Sequence, residues 1–387
     1  MSEHLVINGE YSPQFKPVYD QLYHNLDLLN EVGAAVCIYH GGKRVAHIYG
    51  VNKHVTRTLW QADDYVSVMS CSKAFLALCI HMLAAKGKLS LNAPVSHYWP
   101  EFGQNAKQDI LISMVLAHTA GIPVCHTGNV GDIFDWQQHI HNIEQTKATF
   151  KAGGTLAYHA LTYGHILGEI IRRVDGRMPS VFFQEEIAAP FGLAVSLNKP
   201  TDKTVRPIKE TADFSKTKLC LSSKLLPKLP FWQCQYFRQC SEQYQPNSQL
   251  WSHSEIPAVT GHATAHGMAK FYAFLANQGE LENQKLLPST AVSVLKELHV
   301  SAKEVATKTL WNMGSGFMLN SPELCRFGPN PNSFGHMGMG GAVGFADPDN
   351  NLAFTYVTER FHSKTKEDTS IAGKRMQSLI EACYNCI

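Results

Sequence analysis

The chain has 387 residues, ample for one large module with a sizeable core or for two lobes. Hydrophobic residues make up 44% and charged residues 17%, the balance of a globular rather than a disordered protein. Thirty-four Lys and Arg against 32 Asp and Glu leave a net charge of +2, which gives no electrostatic footprint for nucleic acid.

The first residues carry neither the basic start nor the apolar stretch of a signal peptide. The longest near-continuous apolar run, Ala74–Ala85, contains His81 and falls short of the roughly 20 residues a membrane span requires. The ten cysteines are scattered. A cytoplasmic protein with reduced thiols is expected, with no membrane or nucleic-acid partner.

Phe15, Val18, Tyr19, Leu22, Leu26 and Leu29 recur at three- and four-residue steps and predict helix over much of residues 1–31. Ala34–Tyr39 and Val45–Tyr49, around His40-Gly41-Gly42-Lys43, read as a β-hairpin. Helices are expected over about 70–86, 110–116 and 161–174. Residues 199–230 differ: basic residues and Pro200, Pro207 and Pro227 mark a loop insertion on the surface or over a substrate. Further helices are expected at 265–278 and 289–298. Strands then follow at Gly314–Leu319, Ala342–Ala346 and Leu352–Thr358, before a closing helix at 371–383. Strands at both ends of a helical middle predict an α+β body whose sheet is assembled from distant segments, with a helical lobe inserted. One module over 1–387 is expected, with a sheet lobe at about 1–65 and 262–387 and a helical lobe at about 66–261.

Ser70-Cys71-Ser72-Lys73 fits Ser-x-x-Lys, as do four other segments, beginning at Ser196, Ser215, Ser293 and Ser363. Context separates them. The residues after Lys73 are apolar on nearly every face, so this helix should run through the interior. An ammonium there is expensive to desolvate and needs a reason. The spacing puts Lys73 one turn along the same face as Ser70, beside unpaired N–H groups at the helix start. Nucleophilic catalysis uses such a set: a hydroxyl, an amine of lowered pKa and donors for an oxyanion. The competing reading makes Ser70 a helix cap and Lys73 a surface residue, and local sequence leaves both open. Downstream, Phe334–Gly341 is rich in glycine and leads into a strand, as a backbone does when it must approach something closely.

Together these segments resemble the serine β-lactamase and penicillin-binding-protein-like family, in its class C, DD-peptidase and family VIII carboxylesterase branch. Val66–Lys73 is similar to the nucleophile motif, Gly87–Val95 and Leu116–Pro123 to two further family segments, and Tyr158-His159-Ala160 to Tyr-x-Asn. His336-Met337-Gly338 is similar to the Lys-Thr-Gly strand motif in its His-x-Gly form. The resemblance implies a β-lactamase/transpeptidase-like fold, an antiparallel sheet flanked by N- and C-terminal helices. It further implies Ser70 as the acylated nucleophile and Lys73 and Tyr158 as the proton-transfer pair, with Tyr163 as the rival phenol. The oxyanion hole would come from the backbone N–H groups of Ser70 and Met339. His336, Gly338 and Met339 would bind substrate. Ala160 replaces the usual Asn, and His336 replaces a fixed cation suited to a β-lactam carboxylate. An unperturbed, largely neutral histidine would instead donate a hydrogen bond to an uncharged ester.

The expected function is a serine hydrolase acting on small esters or amides. The alternatives are a β-lactamase or D-amino-acid-peptide hydrolase, an acyltransferase with the same triad, and a catalytically silent paralogue. No cofactor or metal is expected. His139-Ile140-His141 lacks the further Asp-His of a metallohydrolase site, and His262/His266 lack the Glu of H-E-x-x-H.

Overall fold

The computed structural model describes residues 4–209, 246–321, 323–324, 326–361 and 373–387. Its main sheet is antiparallel and has nine strands in the order β1-β3-β2-β15-β14-β13-β12-β11-β10. The N-terminal segment supplies β1 (Leu5–Tyr11), helix α1 (Lys16–Leu28), β2 (Gly33–His40) and β3 (Lys43–Asn52). β4 (Tyr65–Ser67) then leads into a 3₁₀ turn, Met69–Cys71, and helix α2 (Ser72–Ala85). Helices α3 (Trp136–Gln145) and α4 (Thr162–Asp175) follow, then the short strands β5 (Val195–Ser196), β6 (Val205–Arg206) and β7 (His262–Ala263). Helix α5 (Ala265–Ala276) precedes a small hairpin, β8 (Glu280–Leu281) with β9 (Gln284–Lys285). β10 (Val300–Lys303), β11 (Leu310–Met313), β12 (Met318–Leu319), β13 (Phe334–Met337), β14 (Val343–Asp347) and β15 (Leu352–Thr358) complete the sheet, and α6 (Lys374–Tyr384) closes the chain.

Both faces of the sheet are covered, and side-chain alternation divides them. Along β2, Ala34, Val36 and Ile38 join Val18, Leu22 and Leu26 of α1 and Leu379 and Ile380 of α6. Ala35, Cys37 and Tyr39 face the other way, into a core shared with Phe271 and Phe274 of α5 and Phe75 and Leu76 of α2. The expected antiparallel sheet flanked by the two terminal helices is thus the observed arrangement.

Three expectations change. The helix expected over much of residues 1–31 is confined to its second half, because Leu5–Tyr11 pairs with β3 as an edge strand before α1 begins. Gly314–Leu319 is not one strand: β11 ends at Met313, and a turn through Gly316 (φ 90) packs against Ala77 before β12. Of the loop expected at 199–230, residues 210–230 lie outside the described residues. The described part contains β6, which pairs in parallel with β4. Arg206 on β6 is buried, with Asp64 Oδ2 at 3.0 Å and Glu359 Oε2 at 2.7 Å, and its guanidinium lies over Trp60. A residue counted as part of a basic surface loop is an interior ion-pair hub.

Candidate active site

The turn before α2 is built from strained and pinned backbone. Val68 N–H donates to Gly261 O at 3.0 Å, and Met69 then takes φ 48, a left-handed conformation uncommon for a methionine. The Ser72 hydroxyl donates to Met69 O and accepts from Gly261 N–H at 3.0 Å. Cys71 Sγ donates to His336 O at 3.3 Å, tying the start of the helix to β13. Ser70 is left half-buried, and it is not the cap of α2, since Cys71 holds that position.

Lys73 is fully buried. Its Nζ lies 3.2 Å from Ser70 Oγ and donates to Ala160 O at 2.9 Å and Ala258 O at 3.1 Å. Its three hydrogen-bond partners include no carboxylate. Burial therefore drives its pKa well below the usual lysine value, opposed only by Cys71. A neutral amine has two N–H donors and one lone pair. The two carbonyls take the donors, and the lone pair is left for the Ser70 hydroxyl.

Tyr158 stands over this group, with Lys73 Nζ 4.8 Å from its ring centroid. His118 and Trp311 flank the phenol ring at centroid distances of 4.6 and 5.2 Å, and His336 lies at 6.5 Å. The rival Tyr163 is fully buried on α4, its hydroxyl without a hydrogen-bond partner among the described residues. Burial and the neighbouring Tyr158 push its phenol pKa well up.

His336 departs from expectation. It is fully buried, and burial above all pushes its pKa down to about 3. Its Nδ1–H donates to Met337 O at 2.7 Å, so Nε2 carries a lone pair and has no partner among the described residues. The ring is a neutral acceptor, not the donor expected from its sequence position. Gly338 follows where β13 meets the turn before α2: a Cβ there would lie 2.2 Å from Val68 O, so only glycine allows the approach. Met339, next along, exposes 46% of its surface. Among the described residues, the N–H groups of Ser70 and Met339 have no backbone acceptor.

Reasoning from sequence missed the carbonyl of Ala258, for which any residue type would serve and no signal exists. It read His118 only as part of a family turn and gave Glu304 no role. The histidine pairs do not converge. His139 is buried against His165 while the His141 side chain is 61% exposed, and His262 sits on β7 whereas His266 is on α5, hydrogen-bonded to Tyr39.

The beta-lactamase family model matches residues 25–374. The esterase/beta-lactamase LipL of Mycobacterium tuberculosis is 29% identical over 341 residues, 86% of this chain and 78% of that protein. A family VIII carboxylesterase crystal structure superposes with a TM-score of 0.86 at 28% identity, covering 99% of this chain and 100% of that one. A penicillin-binding protein homologue from Caulobacter crescentus gives 0.85 at 26% identity, with coverage of 99% and 100%. A family model that matches most of the chain, over an antiparallel sheet shared with these solved structures, places this chain in the beta-lactamase family.

Proposed function

We propose that the protein is a serine hydrolase that acylates Ser70 and turns over small, uncharged esters. One observation carries the reading: a fully buried lysine, without a carboxylate partner among the described residues, 3.2 Å from the Ser70 hydroxyl. Ser70 Oγ attacks the substrate carbonyl as its proton passes to the Lys73 amine, and the oxyanion is held by the N–H groups of Ser70 and Met339. The carbonyl–oxygen bond to the alcohol breaks, and the proton moves through Lys73 and Tyr158 to the departing alkoxide. Water then attacks the acyl-enzyme by the reverse route and releases the acid. Gly338 and Met339 lie along the edge against which the acyl group rests. Supporting a cytoplasmic location, the described cysteines Cys37, Cys71, Cys79, Cys125, Cys383 and Cys386 are all free thiols. Among the described residues, no helix is long and apolar enough to cross a membrane.

The preference for esters over β-lactams rests on His336. A ring with a pKa near 3 is neutral throughout the working pH range and offers no cation to a substrate carboxylate. Ala160 adds no side-chain amide for the substrate to bond. For short-chain p-nitrophenyl esters, kcat/KM should exceed that for a chromogenic cephalosporin by at least about tenfold, or about 1.4 kcal/mol of transition-state binding. Faster opening of the cephalosporin would overturn the preference and leave the Ser70 chemistry standing.

A further inference from the structure

Tyr158 belongs to no helix or strand. A loop side chain keeps one geometry only where its backbone is tied down, and here three consecutive N–H groups are. Ala157 N–H donates to His118 O at 3.1 Å, and His159 N–H to His118 Nδ1 at 3.0 Å. Between them, Tyr158 N–H donates to Glu304 Oε1 at 3.2 Å. Two residues therefore hold three peptide groups from two directions. His118 follows the short helix Ile112–Leu116, and Glu304 sits just beyond β10.

Both anchors are built into the interior. His118 and Glu304 are each 1% exposed. His118 adopts φ 60, and its ring packs on Tyr158 on one side and Tyr163, at 4.9 Å, on the other. Its Nδ1 accepts a hydrogen bond, so the ring is in the Nε2–H form. Burial, followed by His159, Lys73 and His336, keeps its pKa well below the ordinary histidine value. The second Glu304 oxygen accepts from Ala306 N–H at 2.9 Å and Thr307 N–H at 2.6 Å, which immobilises the carboxylate itself. Val305 N–H donates to Leu156 O at 3.1 Å and joins the two segments once more.

We propose that His118 and Glu304 are positioning residues that hold the Tyr158 phenol in register with Lys73 and Ser70 by clamping peptides 157–159. The inference rests on the reading that Tyr158 shares proton transfer with Lys73. Misplacing a catalytic group by about 1 Å can cost about 100-fold in rate, which sets the expected effect. His118→Asn is the informative conservative change, because asparagine tolerates positive φ and its Oδ1 can accept the His159 N–H in place of Nδ1.

The test is a set of double-mutant cycles on p-nitrophenyl ester hydrolysis, with His118→Ala, His118→Asn and Glu304→Gln each made alone and in Tyr158→Phe. His118→Ala should lower kcat about 100-fold while KM moves less than about threefold, and His118→Asn should recover all but about fivefold. Glu304→Gln sets an amide N–H₂ against backbone donors and should cost about tenfold in kcat. With Tyr158→Phe already present, none of the three should lower the residual rate by more than about twofold. Losses of full size in the Tyr158→Phe background, near-normal kcat in the single variants, or an asparagine no better than alanine would overturn the proposal. If His118→Ala does not fold by circular dichroism, the cycles of His118→Asn and Glu304→Gln decide alone. A Tyr158→Phe enzyme of near-normal activity would sink the role of Tyr158 and the clamp with it. An inactive Tyr158→Phe with additive losses would sink the clamp only.

Discussion

Ser70→Ala is expected to abolish labelling by a fluorophosphonate and to cut ester hydrolysis by about four orders of magnitude or more. The fold should survive the change. Ser70 lies in the 3₁₀ turn ahead of α2 and does not cap it, so among the described residues its removal deletes one side-chain hydrogen bond, to Lys73 at 3.2 Å. Lys73 keeps both carbonyl partners, so the stability loss should stay at about 1 kcal/mol. Intact mass after labelling, with a thermal melt of the variant, checks both halves. Labelling that persists in Ser70→Ala, or that maps to Ser72, would overturn the assignment. Ser72 is a weak rival on physical grounds: it is fully buried, and its hydroxyl is committed to Met69 O and Gly261 N–H.

The fold was most legible where burial is two-sided or periodic. β2 and β15 are buried along nearly their whole length and read as apolar runs, whereas β1 exposes Asn8, Gly9 and Glu10 and carries too little apolar signal to separate from the helix behind it. β13 was hidden by Gly335 and by the glycines that follow the strand. A Cβ at Gly335 would meet Gly344 O at 2.2 Å, so close pairing with β14, rather than β-propensity, selects the residue. At the site, Ser70 and Lys73 were visible because a lysine in a wholly apolar helix demands a partner. What the lysine finds there was not visible, since two of its three partners are main-chain oxygens. His336 shows the limit of reading a residue by type. Its motif position was legible, but its burial, which decides its charge, depends on segments brought together from far apart in the chain. Its bond to the adjacent Met337 O, which decides which nitrogen bears the proton, depends on a ring orientation that residue type does not fix.

Lys73→Ala and Tyr158→Phe should each lower kcat/KM by about three orders of magnitude, and the double variant should fall little further. Groups that pass one proton along a single path fail together, because either loss breaks the path. In the proposed mechanism the Lys73 amine, 3.2 Å from Ser70 Oγ, takes the serine proton, and Tyr158, whose ring centroid lies 4.8 Å from Lys73 Nζ, passes it to the leaving alkoxide. Lys73→Arg should rescue nothing, since guanidinium stays protonated at every accessible pH and has no lone pair to offer. The pH dependence follows with a definite sign. Burial lowers the Lys73 pKa, so the amine is neutral above that lowered value and charged below it. Activity should therefore rise with pH through a midpoint far under the usual lysine value of 10.5 and stay level above it, up to any second titration. Profiles of kcat/KM against pH for the wild type and Tyr158→Phe should share this acid limb if Lys73 is its source. Strictly additive losses in the double variant, or an active Lys73→Arg, would separate the two residues and remove the amine from the role of base.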